Sequence, residues 1–142
     1  MLYRVEVPGI RGGEVTLESI DEDIYPVLWV SVRPFVELWI NSFRSDIVPP
    51  YSDWPPSEQS GRKMFLMQCP RLPLVGAQMV KYRLNRTIWN LFRNLPVFER
   101  PDVGFSNGRH RFRAMEGLGA TAIPVQVAPD NLQFLSDQCG RQ

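Results

Sequence analysis

Residues 105–114 read Phe105-Ser106-Asn107-Gly108-Arg109-His110-Arg111-Phe112-Arg113-Ala114, and two periodicities meet there. Val103 to Ser106 alternates in the manner of a strand, and Asn107-Gly108 ends it. From Arg109 the spacing predicts a helix through Leu118, with Phe112, Met115 and Leu118 on one side. Gly119 follows its last turn, where a left-handed residue usually sits. Thr121 to Val127 (TAIPVQV) reads as the next strand, and Pro124 within it suggests an edge or a bulge. A strand, a glycine turn, a helix and a further strand therefore follow one another directly.

Working outward, Val97-Phe98-Glu99 predicts a short strand and Arg100-Pro101-Asp102 a turn. Residues 75–94 read as the longest helix, with Val80, Leu84, Ile88, Leu91 and Phe92 as its apolar stripe and Pro96 as its stop. Val80, Leu84, Ile88, Phe92, Phe112, Leu118 and Ile123 are the expected core. Residues 45–73 carry six prolines and predict a long irregular connection, with a strand at Met64–Met67 and with Tyr51 and Trp54 packed on the core. Nearer the start, residues 3–7 and 15–17 read as strands around a glycine turn, and residues 26–32 as a buried strand. Residues 35–43 read as a helix presenting Val36, Ile40 and Phe43. Residues 129–142 read as a polar tail with one helical turn at 131–135. Together these predict one α+β domain over residues 1–142, a small mixed sheet flanked by helices, with its motif-bearing part at about 75–127.

Composition agrees with a globular chain: 142 residues, 44% hydrophobic and 22% charged, which excludes disordered, collagen-like and coiled-coil classes. No apolar run approaches the roughly 20 residues that cross a bilayer, and the first residues lack the apolar core of a signal peptide, so a cytoplasmic protein without membrane insertion is expected. One histidine and two cysteines, neither in CxxC spacing, give no pattern for a His/Cys zinc site. The net charge of +1 hides an asymmetry: residues 1–60 hold ten acids and four bases, residues 81–113 eight bases and two acids. Fourteen of the sixteen bases are Arg, whose planar fork suits phosphate and carboxylate. A basic half docked on an acidic half and an anion-binding surface both fit these counts.

The first turn of the 109–118 helix concentrates the chemistry. Amides at a helix start are unpaired and carry partial positive charge, so phosphate binds there readily. Gly108 would let backbone approach a ligand, Arg109 and Arg111 add donors, and His110 adds a titratable one. Arg109, Arg111 and Arg113 oppose the helix dipole, a local conflict that points to function. Asn107, Gly108, Arg109, His110 and Arg111 are therefore the expected phosphate or nucleotide site. Arg83, Arg86 and Arg93, with Arg113, are the expected DNA-binding set, joined by Arg109 on one basic face. Phosphoryl transfer would further need a carboxylate, for which Glu99, Asp102 and Glu116 are the nearest candidates in sequence. Each reads equally as a surface charge, and Glu116 as a partner of Arg113 three residues back.

Asn107 to Ala114, followed by Leu118-Gly119 and Ala122-Ile123-Pro124-Val125, resembles the central motif of the ParB/sulfiredoxin superfamily. Gly108, Arg111 and Ala114 match its GxxRxxA pattern. Gly108, His110 and Arg111 match the GCHR pattern of sulfiredoxins, with Arg109 where the catalytic cysteine stands. The likeness covers about residues 97–127. More narrowly, residues 107–113 with Arg86-Thr87-Ile88-Trp89-Asn90 and Leu95-Pro96 are similar to the plasmid fertility inhibition factors of the FiwA and Osa group. That resemblance implies a cytoplasmic protein that blocks conjugative DNA transfer at a type IV secretion system or its coupling protein. It also implies ATP or another nucleotide, with Mg2+, as cofactor, and ATPase or nuclease activity on DNA. Arg109 in place of cysteine argues against sulfinic-acid reduction, and no helix-turn-helix pattern follows residue 127. An enzyme and a non-catalytic nucleotide- or protein-binding module of a mobile element both remain open at this point.

Overall fold

The computed structural model describes residues 1–42, 47–82 and 98–141. Strands β1 (Leu2–Glu6) and β2 (Glu14–Glu18) pair antiparallel as a separate hairpin, with Val5 opposite Val15 and Tyr3 opposite Leu17. Its turn uses positive φ at Gly12 and Gly13, and the Val7 N–H closes it onto the Gly13 carbonyl at 2.8 Å. The second sheet has four strands in the order β3 (Val27–Ser31), β6 (Ala122–Val127), β4 (Leu74–Tyr82), β5 (Phe98–Asn107). β3–β6 and β4–β5 run antiparallel and β4–β6 parallel, so the sheet is mixed and the α+β expectation holds.

Helix α1 (Val32–Ile40) leaves β3 without a loop. It buries Val32, Phe35 and Trp39, whereas Ile40 of the expected face is exposed. Both stripes are apolar, so periodicity could not choose between them; packing against the sheet did. Phe35 and Trp39 meet Phe105 of β5 and Phe112 of α3 (Arg109–Gly117) in an aromatic cluster with centroid separations of 4.8–5.6 Å. The Ser42 hydroxyl accepts the Val103 N–H at 2.7 Å and donates to the Leu38 carbonyl, tying the end of α1 to β5.

The long helix expected from residue 75 is corrected: residues 74–82 form β4, paired along its whole length with β5 from Leu74↔Asn107 to Tyr82↔Phe98. A three-to-four spacing of apolar residues stood there by composition, and long-range pairing overrode it. Val80 lies opposite Arg100 and is only partly buried, so it is not core. Leu84, Ile88, Leu91, Phe92 and Pro96 lie outside the described residues. Arg100-Pro101-Asp102 is not a turn but the middle of β5. β5 is the outer strand of the sheet, where a missing proline N–H is tolerated. Pro124 obeys the same rule inside the sheet. β6 meets β4 only at Gln126 and Val127, so Pro124 lies beyond that pairing.

The proline-rich stretch is also more ordered than expected. A 3-10 turn, η1 (Tyr51–Asp53), precedes helix α2 (Pro56–Leu66), whose last turn replaces the strand expected at Met64–Met67. Side chains bonded to backbone hold the two together. The Tyr51 hydroxyl donates to the Gln59 carbonyl at 3.1 Å, the Gln59 amide donates to the Tyr51 and Trp54 carbonyls, and the Trp54 indole donates to the Pro49 carbonyl at 2.9 Å. Tyr51 and Trp54 are buried, as expected. The polar tail is in fact helix α4 (Pro129–Cys139), which buries Leu135 and Cys139. Its Asn131 side chain accepts the Ala77 N–H where β4 has parted from β6, and the Arg141 N–H donates to the Trp29 carbonyl on the outer edge of β3. Burial pushes the Cys139 thiol up to about 11, which keeps it protonated and unreactive. No described helix is long and apolar enough to cross a membrane.

Candidate functional site

β5 delivers the chain to Asn107, Gly108 reverses it, and α3 starts at once. Gly108 has φ 79° and ψ 10°, a left-handed conformation that glycine adopts without steric cost. It has no side chain to cap the helix, and its carbonyl accepts the Phe112 N–H at 2.9 Å. The N–H groups of Arg109, His110 and Arg111 therefore have no intrahelical partner. The Asn107 side-chain oxygen accepts the Leu74 N–H at 3.3 Å and one Arg111 guanidinium N–H at 3.2 Å. Arg111 thus folds back over Gly108, beside Pro73. Its Nε is buried and has no hydrogen-bond partner among the described residues. Burial first, then the charges of Arg62 and Arg71, hold the Arg111 guanidinium below its usual range. Arg109 and His110 are exposed at the rim.

The expected turn residues thus do come together, and two further cations join them. Arg62 comes from α2 and Arg71 from the segment before β4. Among the described residues none of Arg62, Arg71, Arg109 and Arg111 is ion-paired to a carboxylate. The sequence carried one signal for the two missed cations: residues 61–80 hold three bases and no acid.

The other expected residues separate from the turn. Arg113 is 5% exposed, with its guanidinium 5.8 Å from the Trp39 ring centre and 3.5 Å from the Glu116 carboxylate. It cannot belong to a solvent-facing DNA-binding set, because α3 turns that position inward. Glu116 is its partner. Asp102 is buried within β5, and Glu99 faces Lys81 across the ribbon at 3.7 Å. At about 3.3 Å per strand residue, Asp102 sits roughly 17 Å and Glu99 roughly 26 Å along β5 from Asn107. None of the three candidate carboxylates adjoins the turn. Arg83, Arg86 and Arg93 lie outside the described residues. No group of three or more His, Cys, Asp or Glu able to hold a metal ion occurs among the described residues. The amides and guanidinium groups fit the phosphates of a nucleotide, and any Mg2+ would be held chiefly by those phosphates.

Alongside the turn runs an open groove of about 470 Å3 between α2 and the start of α3, lined by Trp54, Glu58, Gly61, Arg62, Phe65 and His110. His110 belongs to both features. Its imidazole lies 5.8 Å from the Trp54 ring. Partial burial, then Arg62 and Arg109, lower its pKa below the usual value, against a smaller opposing effect of Glu58. His110 is therefore neutral at pH 7, and a bound anion would favour its charged form. Sulfate keeps a fixed charge in this range, so its affinity should rise as pH falls from 7 to 5. The rise should vanish in His110→Gln. Titrations at a series of pH values check this, and a pH-independent wild type would exclude a charged His110 as a partner of the anion.

The fold places this chain beside one solved structure. It is similar to the crystal structure of the oncogenic suppression activity protein, a plasmid fertility inhibition factor, in its gold(I) cyanide derivative. The TM-score is 0.70 at 15% identity, over 99% of this chain and 70% of that one. At that identity the likeness establishes a shared α+β fold. No family model matches the sequence, and no curated protein matches it.

Proposed function

We propose that the turn from Asn107 to Arg111 binds the phosphate of a nucleotide, and that the chain acts as a plasmid fertility inhibition factor, restraining conjugative DNA transfer through a type IV secretion system. The observation that carries the phosphate reading is the cluster of Arg62, Arg71, Arg109 and Arg111, without a carboxylate partner among the described residues, beside the three helix-start amides that have no intrahelical partner. Like charges gathered without a counterion repel one another, and an anion relieves that repulsion. The fold shared with a fertility inhibition factor supports the cellular role.

Arg111→Ala should weaken ATP binding by about 1.5–3 kcal/mol, the range for a hydrogen bond to a charged group. Calorimetry with ATP, CTP and inorganic phosphate against wild type and Arg111→Ala measures this. Loss of the Asn107 tie would also lower the melting temperature, so both are recorded. Failure of all three ligands to bind well-folded wild type would end the phosphate reading. The cellular reading is tested by expressing the gene in donor cells and counting transconjugants. Unchanged transfer across several plasmid groups would remove it.

Between an ATPase or nuclease and a non-catalytic nucleotide- or protein-binding module, the separation of Glu99, Asp102 and Glu116 from the turn favours the module. Incubation with ATP, Mg2+ and plasmid DNA decides between them. Phosphate release or nicking that Arg111→Ala abolishes would favour the enzyme.

A further inference from the structure

We infer that the groove between α2 and α3 is a nucleobase subsite, one that takes a base carrying an exocyclic amino group while the turn holds its phosphates. This rests on the phosphate reading above and adds which ligand bears the phosphate. Its volume of about 470 Å3 falls within the span of small-molecule clefts, about 300–1,000 Å3. Its lining is suited to a flat aromatic ring. Phe65 is exposed there, with the Arg62 guanidinium 5.2 Å from its ring centre, and His110 and the largely buried Trp54, their rings 5.8 Å apart, line the same groove. Arg planes and aromatic faces are the surfaces on which bases stack. His110 adjoins the unpaired amides of the turn, so base and phosphate sites are continuous. The Glu58 carboxylate also lines the groove and accepts hydrogen bonds only, which favours an amino group on the base.

Gly61 is the most informative residue. It lies inside α2, where glycine costs roughly 0.5–1 kcal/mol relative to alanine. Its φ is not positive, and a Cβ added there would meet nothing within 4 Å. Neither backbone conformation nor packing requires a glycine. What its missing side chain leaves open is the groove. A helix position that breaks a local rule without structural compensation points to a ligand.

The test compares ATP, UTP, tripolyphosphate, adenosine and phosphotyrosine by calorimetry on wild type and Gly61→Leu. Leucine should leave the melting temperature unchanged or higher, because it is the better helix former. Wild type should bind ATP at least tenfold more tightly than tripolyphosphate, which has the phosphates without the base, and more tightly than UTP. Gly61→Leu should bring ATP down to the level of tripolyphosphate and leave tripolyphosphate itself unaffected. Equal affinities for ATP and tripolyphosphate in wild type would overturn the subsite and leave the phosphate reading standing. Adenosine binding that Gly61→Leu abolishes, with no binding of tripolyphosphate, would support the subsite and overturn the phosphate reading. Phosphotyrosine binding more tightly than ATP would overturn the nucleobase assignment in favour of a phosphopeptide.

Discussion

Phe112→Ala should destabilise the protein by about 3–5 kcal/mol, the usual cost of removing a fully buried phenylalanine. Phe112 is fully buried and is the only residue of α3 within the aromatic cluster. Its ring lies 4.8 Å from Phe35 and 5.2 Å from Phe105, so one truncation opens a void against both α1 and β5. Tilted ring pairs add about 0.5–1.5 kcal/mol each beyond the area they bury. In a domain of this size the loss corresponds to roughly 10–20 °C in melting temperature. Phe112→Leu keeps most of the volume and should cost less than about 1.5 kcal/mol. Denaturant unfolding of the two variants measures the contrast. A loss below about 0.5 kcal/mol, the surface range, in Phe112→Ala would mean that α3 is not seated on this cluster.

Gly108→Val should cost about 3 kcal/mol and abolish anion binding with it. Two effects combine. A residue with a Cβ pays roughly 1–2 kcal/mol in the left-handed region that Gly108 occupies at φ 79°, and a β-branched one pays more. The added Cβ would also come within 2.8 Å of the Pro73 Cα, which is backbone and cannot step aside, and 2.7 Å of the Arg111 guanidinium. Gly108→Asn separates these contributions, because asparagine tolerates the left-handed region but carries the same Cβ. It should fall between wild type and valine. Wild-type stability in Gly108→Asn would show that contact with Pro73 contributes nothing. From the sequence alone, Gly108 reads as a place for a ligand to approach. The structure fills that space with Pro73 and Arg111, so the glycine is needed first by the fold.

Local sequence was informative where one short segment specified both conformation and environment. The strand, turn and helix from Val103 to Leu118 are such a case: alternation, Asn-Gly and a three-to-four stripe follow in order, and each constrains the next. The first hairpin and β3 were legible for the same reason. Residues 75–82 were not. Their apolar spacing suits a helix locally, and only the pairing of β4 with β5, from Val75↔Phe105 to Tyr82↔Phe98, makes them a strand. Helix α2 was illegible for a different cause. It buries only Leu66, and its position depends on Tyr51, Trp54 and Gln59 bonding to backbone.

The same division runs through the site. Sequence by itself determined that a glycine turn would open a helix rich in arginine, and so that unpaired amides and guanidinium groups would share one end of α3. It could not determine which arginines face solvent, because that depends on how α3 rotates against the sheet. Packing of Phe112 on Phe35 and Phe105 turns Arg113 inward beneath Trp39 and leaves Arg109 at the rim. Nor could it bring Arg62 and Arg71 to the turn, or set Phe65 and Gly61 beside His110. Those contacts join segments forty or more residues apart. Only burial of the shared core holds such segments together, and no local pattern encodes that.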